Sequence, residues 1–252
     1  MDLSLQGNNA LITGATKGIG RAIAELLAEE GCNVAICSRT QADVDAAVEA
    51  LKAKGVKAFG QAVDVGDGEA LKAWVAGSAD ALGGIDTLVS NVSGGNAAGE
   101  EGWRANFEHD VLGAVRLVEA ATPYLEKSDN ASIIMISSTA ALEKFISANA
   151  YNAMKGAMIQ YAGALAQDLG PKGIRVNSIC PGPIFIEGGA WDQIKQHMKD
   201  FYQQTVAAVP LGRLGTAEEV AAQVALLASP RGGFTTGANL VIDGGFTKRI
   251  QF

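Results

Sequence analysis

Two patterns of hydrophobic and polar positions take turns along the chain. Short, nearly continuous apolar runs read as buried strands, and between them apolar residues recur at the spacing of one helix face. Asn9-Ala10-Leu11-Ile12-Thr13 is the first strand and Arg21 to Glu30 the first helix. The alternation continues as strand Asn33 to Cys37, helix Gln41 to Lys54, strand Ala58 to Val63, helix Glu69 to Leu82 and strand Thr87 to Ser90. A long helix over Trp103 to Leu125, strand Ser132 to Ile136, a helix bearing Tyr151 and Lys155, and strand Gly173 to Cys180 follow. Phe185 to Arg213 interrupts the rhythm with a helix, Trp191 to Gln204, between Gly188-Gly189 and Pro210, the form of a helical lid over a site. Thr216 then opens a capped helix, and Ala238 to Asp243 is the last strand. Strand and helix in strict alternation predict an α/β fold, a doubly wound parallel sheet with helices on both faces.

Composition adds mainly exclusions. With 252 residues and 48% hydrophobic content the chain can bury a large core, and a single domain, 1–252, is expected. A net charge of −7, a pI near 4.9 and no basic cluster argue against nucleic acid and anionic membrane as partners. Stretches free of charged residues, such as Asn130 to Leu142, fall well short of the roughly 20 apolar residues that span a bilayer. Met1-Asp2-Leu3-Ser4 does not open a signal peptide, so the expected location is cytoplasmic. Cys32, Cys37 and Cys180 lie in apolar segments without metal-ligand spacing and read as buried thiols, with no disulfide or metal.

Candidate chemistry begins where the first strand meets the first helix. Gly14-Ala15-Thr16-Lys17-Gly18-Ile19-Gly20 lies there, and such glycines let backbone approach a pyrophosphate that sits on the N–H groups of the helix. The second strand ends at Ser38-Arg39, where an NAD site usually places a carboxylate for the ribose diol. Arg39, with Lys17, offers cations to a 2′-phosphate instead, which points to NADP. Asp64 suits either an adenine amine or the cap of the helix beginning near Asp67. Tyr151 and Lys155 stand one helical turn apart, where an ammonium favours a phenolate, and Ser138 follows a strand from which its hydroxyl can bond a substrate oxygen. That trio suits a carbonyl or alcohol.

Taken together these residues resemble the short-chain dehydrogenase/reductase family over nearly the whole chain, in particular 3-oxoacyl-carrier-protein reductases. The resemblance implies a Rossmann-like sheet of about seven parallel strands, usually a homotetramer, acting on a small carbonyl or alcohol substrate. It also assigns Thr13, Gly14, Thr16, Lys17, Gly18, Ile19 and Gly20 to the nucleotide loop. Ser38 and Arg39 belong at the ribose, Asp64 and Val65 at adenine, and Asn91 and Gly94 in the loop after the fourth strand. Pro181, Gly182 and Ile184 fall beside the nicotinamide, and Ser138, Tyr151 and Lys155 match the catalytic residues, the last two also touching the cofactor. The chain departs from the family in three places. The loop reads Asn91-Val92-Ser93-Gly94, Ile186 replaces a Thr near the nicotinamide amide, and Asp110 replaces the Asn that completes the catalytic set. Asn106, one turn earlier on the same face, is an alternative to Asp110, whereas His109 should face away from the chemistry. The activity expected is NADP(H)-dependent interconversion of a ketone and a secondary alcohol; the alternative, suggested by Asp110 and Ile186, is nucleotide binding without turnover.

Overall fold

The structure, a computed structural model, describes residues 2–145 and 147–250. Its centre is a seven-stranded sheet in the order β3-β2-β1-β4-β5-β6-β7, parallel throughout. The strands are β1 (Asn9–Thr13), β2 (Asn33–Ser38), β3 (Ala58–Ala62), β4 (Thr87–Ser90), β5 (Ser132–Ile136), β6 (Arg175–Pro181) and β7 (Asn239–Ile242). Chain order reverses direction across the sheet between β1 and β4, so the connections leaving these two strands diverge and open a crevice at their carboxyl ends.

Both faces of the sheet are buried, which is why its strands are apolar runs. Along β1 the side chains alternate: Ala10 and Ile12 join one core cluster and Leu11 the other. The first cluster packs under α1 (Gly18–Glu29), α2 (Gln41–Lys52) and α9 (Ala217–Ala228), with Ile23, Leu27, Val44, Leu51 and Val224 as principal members. The second packs under α3 (Gly68–Leu82), α5 (Gly113–Leu125) and α6 (Ala150–Leu169), around Trp74, Leu117 and Met158.

Three helices differ most from the sequence reading. The long helix expected over Trp103 to Leu125 is α4 (Gly99–Asn106), a π-helical turn (Phe107–Leu112) and α5. A π turn is wider than an α turn, so it leaves no signature in hydrophobic periodicity, yet here it brings Asn106 and Asp110 both inside. The helix expected over Trp191 to Gln204 is broken at Met198 into α7 (Ala190–His197) and α8 (Lys199–Ala208), because Met198 adopts φ −133°, ψ 55° outside the helical region. The helix expected from Arg21 begins earlier, at Gly18, since the glycine turn itself supplies the first helical residues. Asp67, whose side chain accepts from the Ala70 N–H at 3.0 Å, caps α3; Asp64 does not.

Burial also settles the thiols. Cys32 and Cys37 are pushed up to about 12, chiefly by burial, with the charges of Asp86 and Glu30 adding to the rise at Cys32. Cys180 is raised for the same first cause. Since the thiolate is the reactive form, none of the three should react with a thiol-directed disulfide reagent at pH 8 in the folded protein. All three should react at once in guanidinium, and rapid labelling of the native chain would show that this packing is wrong.

Candidate active site

The carboxyl ends of β1 and β2 frame one side of a cavity of about 560 Å³, lined by Gly14, Thr16, Lys17, Gly18, Ser38 and Arg39. Gly14 and Gly18 carry positive φ (65° and 58°), a conformation that glycine adopts without the penalty a Cβ brings. A Cβ at Gly20 would run into the Gly14 carbonyl, so this glycine lets helix and turn pack together. The N-terminus of α1 has no side-chain cap and no acidic residue in its first turn, leaving open N–H groups and the positive end of the dipole at the cavity. The residues present therefore fit a nucleotide diphosphate.

The loop after β4 closes the crevice. Thr13 Oγ1 accepts from the Asn91 N–H at 3.0 Å, and Asn91 Nδ2 donates to the carbonyls of Thr13 and Gly14 at 3.2 and 3.1 Å. Thr13 and Gly20 are buried and shape the turn, and neither is among the residues lining the two cavities. The other predicted cofactor residues line this cavity or the one beside it.

That second cavity, about 230 Å³, brings together Ser138, Tyr151, Lys155, Pro181, Gly182, Ile184, Ile186 and Trp191. Its floor is the start of α6, which Asn149 caps by accepting from the Asn152 N–H at 3.0 Å, with Asn152 Nδ2 tied back to the Ser147 carbonyl at 3.1 Å. Tyr151 is thus held in the first turn and Lys155 one turn later on the same face, its Nζ 5.8 Å from the centre of the phenol ring. Ser138 follows β5, and its Oγ accepts from the Ala140 N–H at 3.1 Å. The hydroxyl proton remains available to a ligand. Neighbouring Ser137 is buried and donates to the Lys155 carbonyl at 2.7 Å, which pins β5 to α6.

Lys155 is almost completely enclosed. Its ammonium donates to the Ile136 carbonyl at 3.0 Å and to the Val92 carbonyl at 3.4 Å. Asp110 Oδ1 is 2.9 Å away, placed off the direction of a well-formed hydrogen bond, so this contact is an ion pair held by charge. The other carboxylate oxygen accepts from the Gly94 N–H at 2.7 Å. Asp110 thus joins the lysine to the loop after β4. Asn106 does not take this place: its amide donates to the carbonyls of Gly95 and Gly102 at 3.0 and 2.8 Å, away from Lys155.

Among the aromatic and apolar residues of segment 185–213, Ile186 and Trp191 reach the cavity of Ser138 and Tyr151. Phe201 instead stacks on Trp191, with ring centres 6.1 Å apart, and Met198 is exposed. Phe185 lies under the Lys195 ammonium, 5.1 Å from ring centre to nitrogen, and Tyr202 lines a separate groove. His109, which the sequence reading turned away from Lys155 without giving it a place, lines the nucleotide-sized cavity, beside Asp64. Its direction depends on the π turn, for which the sequence carries no periodic signal.

The comparisons with known proteins agree with this geometry. Residues 14–247 match the profile of a family described as enoyl-(acyl carrier protein) reductase. The chain is 42% identical to isoepoxydon dehydrogenase of Aspergillus clavatus, covering 99% of this chain and 98% of the relative. It is 33% identical to dehydrogenase/reductase SDR family member 4 of Sus scrofa, over 98% of this chain and 89% of that one. Among solved structures, L-sorbose reductase of Gluconobacter frateurii, complexed with NADPH and L-sorbose, superposes with a TM-score of 0.91 at 31% identity, covering 99% of this chain and 100% of the other. An NAD⁺-bound xylitol dehydrogenase superposes with the same TM-score of 0.91 at 29% identity, covering 96% of this chain and 100% of the other. From its sheet, its paired cavities and these likenesses, the chain belongs to the short-chain dehydrogenase/reductase family of oxidoreductases.

Proposed function

We propose that the protein is an NADP(H)-dependent oxidoreductase that interconverts a ketone and a secondary alcohol through Ser138, Tyr151 and Lys155. The observation that carries the reading is the convergence of these three side chains on one cavity that abuts the nucleotide-sized one. In the reductive direction Tyr151 Oη gives its proton to the carbonyl oxygen, while the free Ser138 hydroxyl proton bonds the same oxygen and polarises it. The Lys155 ammonium, fixed by two carbonyls and a carboxylate, stabilises the phenolate left behind. The hydride would be supplied or taken by a nicotinamide cofactor held there. Gly14, Gly18 and the start of α1 would hold its pyrophosphate, with Lys17 and Arg39 on a 2′-phosphate and Pro181, Gly182 and Ile184 beside the nicotinamide.

The segment from Phe185 to Arg213 serves in this reading as the lid of a single domain. Trp191 and Ile186 line the cavity, and Phe145 and Phe201 pack on Trp191 and on each other, with Phe246 edge-on to Phe145, ring centres 6.0 to 6.5 Å apart. Asp110 is a positioning residue: it touches Lys155 and Gly94 and holds the lysine in register. Its direct grip on Lys155 supports turnover over the alternative of nucleotide binding without chemistry.

An NADPH-oxidation screen over β-ketoacyl thioesters, sugars, steroids and small cyclic diketones tests the activity. With any substrate so found, Tyr151→Phe should lower kcat by at least about 10²-fold while leaving NADPH affinity nearly unchanged, because proton transfer alone is deleted. Substantial turnover in that variant would remove Tyr151 from the mechanism.

Arg39→Asp should reverse the preference for NADPH over NADH in a fluorescence titration, by replacing a partner of the 2′-phosphate with a partner of the ribose diol. Equal affinity of the unaltered protein for both nucleotides would make Arg39 and Lys17 ordinary surface cations.

Asp110→Ala should destabilise the protein by about 3–5 kcal/mol in urea unfolding, since it strands a buried ammonium. Asp110→Asn keeps an acceptor for Gly94 and should stay active, but with a lower kcat than the unaltered enzyme, because the charge that faces the Lys155 ammonium is gone. Equal kcat in the two proteins would show that the charge of Asp110 has no part in the rate.

A further inference from the structure

In the larger cavity, apart from the smaller one that holds Tyr151, Asp64 meets His109, which the π turn directs there, and Val63 and Val65 also line the wall. His109 Nδ1 lies 2.8 Å from the Ala105 carbonyl. A carbonyl only accepts, so Nδ1 carries the proton and the uncharged ring presents Nε2 as an acceptor. That nitrogen is 3.1 Å from Asp64 Oδ1, which already accepts from the Gly66 N–H at 2.9 Å. Two acceptors so close repel unless a donor serves both. An extra proton on the ring is one such donor; an entering amine, with two N–H bonds, is another.

Their spacing is braced from behind. Arg116 donates to the Gly66 carbonyl at 2.9 Å and pairs with Glu108, the residue before His109, so the loop bearing Asp64 and the π turn are tied together. The position along the sheet identifies the group that arrives. The glycine turn after β1 suits phosphates, Arg39 after β2 suits the ribose, and the next strand outward, β3, leads into Asp64. The moiety beyond the ribose is the base.

We propose that His109, together with Asp64, reads the exocyclic amine of the cofactor's adenine, so that this end of the cavity selects a 6-aminopurine over a 6-oxopurine. One N–H of the amine goes to the Asp64 carboxylate and the other to His109 Nε2, with Val63 and Val65 beside them as apolar neighbours. The carboxylate is expected from the family resemblance; the histidine is this chain's own addition, and it makes the recognition two-pointed.

The inference rests on the cofactor reading, and direct binding separates the two. The unaltered protein, His109→Leu and His109→Gln are titrated at pH 8, by quenching of protein fluorescence, with NADPH or NADH, whichever binds more tightly, and with the analogue carrying hypoxanthine in place of adenine. The unaltered protein should prefer the adenine form by about tenfold or more, the worth of losing hydrogen bonds to a charged and a neutral acceptor. His109→Leu should reduce that ratio about fivefold, mainly by weakening the adenine form, and His109→Gln, whose amide oxygen still accepts, should retain most of it. An unchanged ratio in His109→Leu, or equal affinity of the unaltered protein for both nucleotides, overturns the inference and leaves the cofactor reading intact. Failure of the unaltered protein to bind either NADPH or NADH overturns both.

Discussion

The buried ammonium of Lys155 is the constraint on which the rest of the site depends. A charge that far from water is tolerated only with partners, and each of its partners belongs to a different part of the fold. The Ile136 carbonyl ends β5, the Val92 carbonyl belongs to the loop after β4, and Asp110 rises from the π turn. Satisfying one cation therefore fixes the relative positions of the elements that enclose both cavities. The hydrogen bond from Gly94 to Asp110 carries the same constraint into the loop that borders the nucleotide-sized cavity.

The π turn is the second organising feature, and its value is in the direction of three consecutive side chains. Glu108 reaches Arg116 and so braces the loop after β3, His109 turns to Asp64, and Asp110 turns inward to Lys155. One wide turn thereby reaches the larger cavity through His109 and, through Asp110, the lysine that lines the smaller one. Replacing an amide by a carboxylate at position 110 exchanges a group that donates and accepts for one that only accepts. Here both of its oxygens find positive partners, an ammonium and a backbone N–H, and the change is compatible with a well-formed site.

Much of this was legible in the chain. Alternating strands and helices announced the parallel sheet, because strands buried on both faces must be apolar throughout. The glycine turn between β1 and α1, the Tyr151–Lys155 spacing and the position of Ser138 after a strand are local features, and local geometry carried them into place. Helix existence survived where periodicity was strong. Boundaries failed where the glycine turn itself supplies the first residues of α1, and where backbone departs from α geometry: at Met198, which breaks one expected helix into two, and at Phe107–Leu112, where a π turn hides inside an otherwise helical pattern.

The assignments left open by the sequence were long-range ones. Asp110 and Asn106 share a face in any helical reading, and only the packing of the loop after β4 decided that the carboxylate meets Lys155 while the amide turns to Gly95 and Gly102. Asp64 offered two roles until Asp67 was seen to hold the cap and His109 to stand beside the Asp64 carboxylate. The chain by itself determined the fold class, the order of its elements and the chemical kinds of residue at the site, since these follow from periodicity and from spacing within a few residues. Tertiary structure alone decided which of those groups meet, because a buried charge chooses its partners among residues brought together from across the sheet, at distances that no local pattern encodes.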